Sequence, residues 1–323
     1  MFTTTLIATR IPRDAGLARW IVAATCVLSS MFAAAPSLVP QACNATAAAS
    51  RLTNLSSLVY VGGEGLAPLT GLVVTGTADK YFLVRGIGPG LRQFGLSNVL
   101  PDPVLRVLDR SGLEIFRNAG WRLGPDATQL PLTTAEVGAF QLSPDSADAA
   151  LLVRLAPGTY TLLVESAAHL AGAVLIEIYE LDQAGACASL STVANVDGAH
   201  PAFFGTFRVR GTAPKKFLVR AVGPALATMG VTGALSDPQL MIYHYSGATV
   251  AARNDNWNSP ATTDAADPAA VVATTVACGA FPLPADSKDA AVVVTLLPGD
   301  YTAQVTSKGM DSGLVLLEIY GVP

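Results

Sequence analysis

A ten-residue motif occurs twice in this chain and constrains its fold more than any other feature. Residues 82–91 read Phe-Leu-Val-Arg-Gly-Ile-Gly-Pro-Gly-Leu, and residues 217–226, which lie 135 positions later, read Phe-Leu-Val-Arg-Ala-Val-Gly-Pro-Ala-Leu. Each copy is an apolar, strand-like run that carries one Arg and stops at Gly-Pro, where proline cannot donate a hydrogen bond to a sheet. The motif therefore predicts two copies of one structural unit.

The repeat extends far beyond this motif. Further matches follow in the same order: Asp102-Pro103 with Asp237-Pro238, Trp121 with Trp257, Pro157-Gly158 with Pro298-Gly299, Tyr160 with Tyr301, and Glu177-Ile178-Tyr179 with Glu318-Ile319-Tyr320. Insertions accumulate only around the segment after each Trp, as is expected of surface loops. We predict two modules, residues 43–183 and 184–323, after an N-terminal segment of residues 1–42.

Within each module the sequence has the signals of β-strands. Short runs rich in β-branched and aromatic residues, such as 71–76 and 81–85, are bounded by Gly, Asp and Pro. Roughly eight such runs per module are typical of a two-sheet sandwich. No stretch after the N-terminal segment has convincing helical periodicity, although residues 90–94 could form one helical turn, and we expect residues 119–137 to form a loop. The predicted fold class is all-β, with two tandem β-sandwich modules of jelly-roll or Greek-key type.

Residues 1–42 have the composition of a targeting segment. Arg10, Arg13 and Arg19 precede an apolar stretch over residues 20–35, which small residues follow. We predict a signal peptide and leader, with an uncleaved anchor as the alternative. The mature chain is then secreted or held at the cell surface, and it meets a membrane only through the signal segment. No later apolar run approaches the roughly 18 residues of a spanning helix.

Charge and cysteine content narrow the possible partners. The formal net charge is −4 and basic residues are not clustered, which argues against binding to nucleic acid. Cys43, Cys187 and Cys278 remain after the targeting segment, and an odd number in an oxidising compartment is most simply one disulfide and one free thiol. The sequence does not decide which two of them pair.

One loop offers candidate ligand-binding residues. Asn254, Asp255 and Asn256 carry oxygen atoms of the kind that bind Ca²⁺, and Trp257 carries a ring that could stack on a sugar. An Asx-rich turn and a Trp that caps the sandwich core are the alternatives. We expect no cofactor, with Ca²⁺ at this loop as the one exception.

Several repeated residues are predicted to have structural roles. Arg85 and Arg220 lie inside apolar strands, and a charge buried there must be paired. The predicted partners are Glu177 and Glu318, with Asp102 and Asp237 as the alternative. Tyr160 and Tyr301 each follow a Pro-Gly turn, so we expect each ring to be buried and its hydroxyl to return to nearby backbone, as in a tyrosine corner.

The histidines give no support for catalysis. The chain has three, His169, His200 and His244, and none recurs between the modules or stands beside a nucleophile motif. A Ser-His-Asp site assembled in space stays open as an alternative. The sequence favours a protein that is not an enzyme.

The motifs together resemble a known repeat module. Residues 51–56, 83–89 and 254–257, with Asp102-Pro103 and the Pro-Gly-x-Tyr-Thr turn, look like a repeat module of large secreted bacterial proteins of the Verrucomicrobia type. The closing half of each module is similar to the bacterial pre-peptidase C-terminal β-sandwich domain. The resemblance covers nearly all of residues 51–323, and it implies a β-sandwich that serves as a non-catalytic appendage.

These observations lead to one functional hypothesis and its alternatives. We predict a secreted, non-catalytic tandem β-sandwich protein with a structural, adhesive or surface-interaction role, whose partner is a cell-surface or extracellular polymer or protein. The alternatives are a carbohydrate- or calcium-dependent binding module and a non-catalytic accessory of a secreted enzyme.

Overall fold

The computed structural model describes residues 50–62, 68–182, 186–245, 249–259, 267–309 and 311–323. Within these ranges the chain forms sixteen strands and three α-helices. The strands of the first half are β1 (Arg51–Val61), β2 (Leu69–Thr75), β3 (Lys80–Ile87), β4 (Pro103–Leu108), β5 (Glu114–Asn118), β6 (Ala149–Leu155), β7 (Gly158–Ser166) and β8 (Gly172–Glu180). Those of the second half are β9 (Ala186–Val196), β10 (Ala202–Arg210), β11 (Lys215–Val222), β12 (Pro238–His244), β13 (Val250–Asn254), β14 (Ala290–Leu296), β15 (Gly299–Ser307) and β16 (Gly313–Gly321). The α-helices are α1 (Leu130–Glu136), α2 (Pro224–Thr228) and α3 (Pro268–Ala277), and short 3-10 helices span Pro89–Phe94 and Trp121–Leu123.

The strands form two antiparallel sheets of eight strands each. Sheet A has the order β13-β12-β15-β10-β1-β8-β3-β6, and sheet B has the order β14-β11-β16-β9-β2-β7-β4-β5. The predicted all-β sandwich fold is confirmed. Within each half the same strands are neighbours, since β1-β8-β3-β6 and β2-β7-β4-β5 recur as β9-β16-β11-β14 and β10-β15-β12-β13.

Both sheets run without interruption from one half into the other. Strand β1 pairs with β10, with Leu55 opposite Phe207, and β2 pairs with β9, with Leu72 opposite Leu190. Each half therefore contributes four strands to each sheet, and the strand that continues a sheet across the junction comes from the other half. The sequence predicted tandem sandwiches but gave no indication that they share their sheets.

The main core lies between the two sheets and continues across the junction. Successive side chains of a strand point to opposite faces of the sheet, so every second side chain points into the core. Phe82 and Val84 of β3 are examples, and both are fully buried. In the second half, Phe207 stacks on Tyr301 with ring centroids 5.6 Å apart and lies 6.2 Å from Phe217. Because this cluster includes residues of both halves, the two halves share one apolar interior.

Connecting segments form a third layer over part of each sheet. In the first half, Trp121, Leu130 and Val137 pack on the outer face of sheet A against Leu83 and Ala150. In the second half, the matching segment packs on the outer face of sheet B, with a cluster that includes Leu218, Trp257, Val271, Phe281 and Leu316. The third layers thus cover opposite sheets in the two halves.

The helical turn expected at residues 90–94 is present as the 3-10 helix Pro89–Phe94, but the loop expected at residues 119–137 is partly helical. Helix α1 lies within residues 119–137, which the sequence predicted as a loop, and it is only seven residues long, too short for a clear periodic pattern. Helix α3 begins at Pro268 after Asp267, whose side chain accepts a hydrogen bond from the backbone N–H of Ala269 at 3.0 Å. Its many β-branched residues made the sequence look unlike a helix.

The glycine of each Gly-Pro break is required by a close approach of backbone. A Cβ atom at Gly88 would lie 1.8 Å from the carbonyl oxygen of Leu100, and one at Gly223 would lie 2.1 Å from that of Leu235. No other residue fits at either position without moving the neighbouring chain.

The predicted signal segment and Cys43 lie outside the described residues. No helix within the described ranges has the length and apolarity needed to span a membrane.

Candidate functional site

The structure brings each repeated Arg together with its repeated Glu. Arg85 donates from Nε to Oε2 of Glu177 at 2.8 Å, and Arg220 donates from Nε to Oε2 of Glu318 at 2.8 Å. Both guanidinium groups are completely buried. Each pair joins adjacent strands, β3 to β8 and β11 to β16, on the sheet face that the third layer covers.

The third layer completes the hydrogen bonds of both Arg residues. Nη1 of Arg85 donates to the carbonyl of Phe140 at 2.7 Å, and Nη1 of Arg220 donates to that of Phe281 at 2.6 Å. The Phe281 ring also lies against the Arg220 guanidinium, whose Cζ is 4.3 Å from the centroid of the ring. In both halves the Arg thus fastens the third layer to the sheet.

A tyrosine contacts the second carboxylate oxygen of each Glu, so that each half contains an Arg–Glu–Tyr cluster. Tyr320 donates its hydroxyl to Oε1 of Glu318 at 2.6 Å, and Tyr179 does the same to Glu177. Burial, together with the negative charge of Glu318, raises the pKa of Tyr320 well above its usual value. The hydroxyl therefore stays protonated in the folded state where an exposed tyrosine would ionise.

This shift predicts a loss of stability at alkaline pH. Tyr320 in the unfolded chain loses its proton near pH 10, while the folded state retains it, so the free energy of unfolding falls as pH rises past about 10. We expect the urea midpoint of the Tyr320→Phe variant to fall less steeply over this range than that of the wild type. Tyr245→Phe, at an exposed position, is the control. Equal pH slopes for the wild type and Tyr320→Phe would contradict this role.

Two buried aspartates have a structural role that the sequence analysis did not identify. Asp148 accepts hydrogen bonds from the backbone N–H groups of Gly88 at 2.8 Å and Gly90 at 3.0 Å. Asp289 does the same for Gly223 at 2.7 Å and Ala225 at 3.1 Å. These carboxylates satisfy the backbone at each Gly-Pro break. Each of these aspartates precedes an Ala-Ala pair, so the repeat in the sequence is the signal that could have identified them.

The loop predicted to bind a ligand is largely used for internal contacts. Trp257 is buried, and its Nε1 donates to the carbonyl of Pro284 at 3.0 Å. Asn254 is buried and accepts from the N–H of Ala291 at 3.0 Å, while its side-chain amide donates to the carbonyl of Asn256 at 3.2 Å. The indole therefore caps the third layer and is not available to stack on a sugar, which corrects the ligand-binding interpretation of Asn254 and Trp257.

The described carboxylate of the loop that was considered for Ca²⁺ has a partner within the protein. Asp255 forms an ion pair with Lys308. Within the described ranges, no three His, Cys, Asp or Glu side chains are grouped so that they could hold a metal ion. Asp264, the other carboxylate considered nearby, lies outside the described residues.

The tyrosines and cysteines can be placed as well. Tyr160 donates its hydroxyl to the carbonyl of Ala156 at 2.9 Å, and Tyr301 donates to that of Leu297 at 2.8 Å, so both return to the backbone four residues earlier. Cys187 and Cys278 are not bonded to each other. Burial raises the pKa of the Cys278 thiol to about 11, which makes it a poor nucleophile at neutral pH.

Asp102 and Asp237 serve other contacts than the two Arg residues. Asp102 accepts a hydrogen bond from the Ser166 hydroxyl at 2.6 Å. Asp237 forms an ion pair with Lys288 at 2.7 Å. Of the two alternatives that the sequence left open, the geometry selects the Arg–Glu pairs.

An uncovered sheet surface remains in the second half. The outer face of β10, β15 and β12, together with β1, is not covered by any described segment. Its side chains form two cross-strand rows, and we call these eight residues the open face: Met241, Gln304, Phe204 and Leu58 in one row, and Tyr243, Thr302, Thr206 and Ser56 in the other. Phe204 and Leu58 are 42% and 39% exposed.

A group of charged residues lies at one end of the junction between the halves. Arg51 donates from Nε to Oε2 of Glu180 at 2.6 Å, and Oε1 of Glu180 contacts the Lys80 ammonium. Lys80 also donates to Oδ1 of Asp182 at 3.2 Å, and Oδ2 of Asp182 accepts from the N–H of Tyr81 at 2.8 Å. We call Arg51, Lys80, Glu180 and Asp182 the junction cluster.

A crevice adjoins the junction cluster. It encloses about 10 Å³, roughly the room for one water molecule, and is lined by Thr53, Asn54, Val137, Tyr179, Glu180, Arg208 and Arg210. Small-molecule sites usually enclose about 300–1,000 Å³, so this crevice is smaller than a substrate pocket. Arg208 at its rim is paired with Asp300.

Comparison with known proteins adds little to this geometry. No family model matches the chain, and no curated protein matches it. Among solved structures, the chain is similar to the major capsid protein P2 of bacteriophage PM2, with 11% identity and a TM-score of 0.20 over 85% of this chain and 98% of the capsid protein. A score this low carries no argument about function.

Proposed function

We propose that this protein is a secreted, non-catalytic interaction protein with a structural or adhesive role at the cell surface, and that it binds its partner through the open face. The observation that carries the proposal is the contrast between this surface and the third layers. Elsewhere the connecting segments cover a sheet with apolar clusters, whereas the open face presents aromatic, aliphatic, hydroxyl and amide side chains to solvent.

The described polar residues support a role in binding rather than in catalysis. Arg85, Arg220, Glu177 and Glu318 are used within the two Arg–Glu–Tyr clusters, and Asp148 and Asp289 accept backbone hydrogen bonds. These groups therefore have structural partners, and of the two clusters the crevice lining includes the Tyr179 side chain but neither Arg nor Glu. A catalytic site usually combines such groups with a pocket.

The chemistry of the open face favours an extended partner. Adjacent strands lie about 4.8 Å apart, so each row presents side chains at a regular spacing over several strands. Thr206, Thr302 and Gln304 offer donors and acceptors beside the exposed ring of Phe204. A flat, mixed surface of this kind suits an extracellular polymer or protein.

A carbohydrate-binding role is the second candidate. Phe204 and Tyr243 stand beside hydroxyl and amide groups on the same face, and aromatic rings with neighbouring hydrogen-bonding groups are suited to sugar rings. Binding to purified polysaccharide would favour this candidate, whereas binding only to protein-containing envelopes would favour adhesion to protein.

The open face can be tested by substitution. We expect the Phe204→Ala, Gln304→Ala variant to bind isolated cell envelopes and insoluble polysaccharides at least tenfold more weakly than the wild type, because it removes the exposed ring and an adjacent polar group. Leu132→Ala changes an exposed apolar residue on α1 and is the matched control. Unchanged binding by the folded double variant would remove the open face from consideration.

The proposed secretion is tested separately by cell fractionation. We expect the protein in the extracytoplasmic fraction, and its recovery only from cytosol would contradict the proposed secretion.

A further inference from the structure

The junction cluster places one amine in contact with two carboxyl groups. Lys80 is completely buried, and its Nζ contacts Oε1 of Glu180 while lying 3.2 Å from Oδ1 of Asp182. The side chains of Glu180 and Asp182 are 1% and 27% exposed. An amine held against a carboxyl group, with a base beside it and water largely excluded, has the components needed for amide formation.

We propose that Lys80 and Asp182 form an isopeptide bond between Nζ and Cγ, with Glu180 as the proton carrier. The bond joins strand β3 to the segment between the two halves. It is a covalent modification of the chain itself, and it does not depend on the proposed binding role of the open face.

The reaction is a condensation in which atoms and charge balance. The Lys80 ammonium gives a proton to Glu180, which passes it to Oδ1 of Asp182, and the neutral Nζ then attacks Cγ. Nζ loses a second proton through Glu180 to the same oxygen, the Cγ–Oδ1 bond breaks, and one water leaves. An ammonium and a carboxylate thus become one amide and one water, with no oxidant or reductant.

The neighbouring groups are arranged for these steps. The N–H of Tyr81 donates to Oδ2 of Asp182 at 2.8 Å, so it can stabilise the negative charge that this oxygen gains in the tetrahedral intermediate. Arg51 binds Oε2 of Glu180 and leaves Oε1 directed at Lys80. Burial raises the pKa of Glu180, which favours its acceptance of a proton.

The second half provides an internal comparison. Lys215 occupies the position of Lys80, and its Nζ donates to the carbonyl of Val322 at 2.8 Å. Gly321 pairs with Phe217 in the same register in which Glu180 pairs with Phe82. The second half therefore has the lysine but not the proton carrier, and we expect no bond there.

Peptide mapping of the purified full-length protein tests the proposal. We expect a branched tryptic peptide that joins residues 52–85 to residues 155–208 and is one water lighter than the sum of these two segments, because trypsin does not cleave after an acylated Lys80. The Glu180→Gln variant should give only linear peptides, with cleavage after Lys80, because it keeps both reacting groups and removes the carrier. Lys215→Met is the matched control and should keep the branched peptide.

The possible results are distinct. Only linear peptides from folded wild-type protein, with cleavage after Lys80, would overturn the proposal, and so would a branched peptide that joins other residues. A branched peptide that persists in Glu180→Gln would overturn the role of Glu180. Because the wild-type map needs no variant, a failure of Glu180→Gln to fold would leave the test of the bond intact.

Discussion

The Arg220→Met variant is expected to lower the free energy of unfolding by about 3–5 kcal/mol. Methionine preserves most of the volume of the Arg side chain but leaves the carboxylate of Glu318 buried without its cation. The carbonyl of Phe281 loses its donor as well, so the third layer is no longer held to sheet B. Urea unfolding at neutral pH, followed by tryptophan fluorescence, measures the change.

A double-mutant cycle separates the pair from the individual side chains. We expect Arg220→Met with Glu318→Leu to recover part of the stability lost in Arg220→Met, because the second change removes the unpaired charge. The exposed ion pair between Arg154 and Asp79 is the matched control, and Arg154→Met should cost less than about 1 kcal/mol. Additive effects of the two buried substitutions would refute the coupling.

The second half, expressed alone as residues 186–323, is expected not to be a stable monomer. Strands β9 and β10 would each lose the partner that they have in the first half, β2 and β1 respectively. The exposed backbone edges would then be free to pair with another chain. The shared apolar core would also be opened to water, as Phe207 and Leu190 belong to it.

The repeat suggests what such a fragment would form instead. Strand β9 corresponds to β1 and β10 to β2, so two copies of the fragment can pair β9 of one with β10 of the other, twice. We therefore expect a two-fold dimer or an aggregate in light scattering after size exclusion, with an unfolding midpoint that depends on concentration. A monomer as stable as the full chain would contradict the importance of the junction.

The sequence predicted the parts of the fold that local patterns determine. The two copies of the Phe-Leu-Val-Arg run predicted the matching strands β3 and β11, and the charges within them predicted pairing, since an isolated buried charge is too costly. Strand β3 covers the predicted run 81–85, because Asp79 and the Gly-Pro break limit that run on either side. In each case the deciding interaction is local or repeated.

Other features depend on contacts that a single sequence does not reveal. The pairing of β1 with β10 is made by backbone groups, which every residue carries, so no side-chain pattern identified it. For Trp257 the sequence left open whether the ring caps the core or faces solvent, and the structure shows it buried because α3 and the segment around Pro284 fold back over it. The strands of the open face have the sequence pattern of ordinary half-buried strands. Only the structure shows that no described segment packs on their outer side.

The shared sheets also determine when the chain can complete its folding. Residues 51–61 are synthesised before almost all of the described structure, but their partners are residues 172–179 on one side and 204–210 on the other. Contacts so distant in sequence slow folding, because a long loop must close before they stabilise anything. The first half therefore cannot complete its two sheets until β9 and β10 have been synthesised. For a chain that is exported before it folds, this delay is compatible with transport in an extended state.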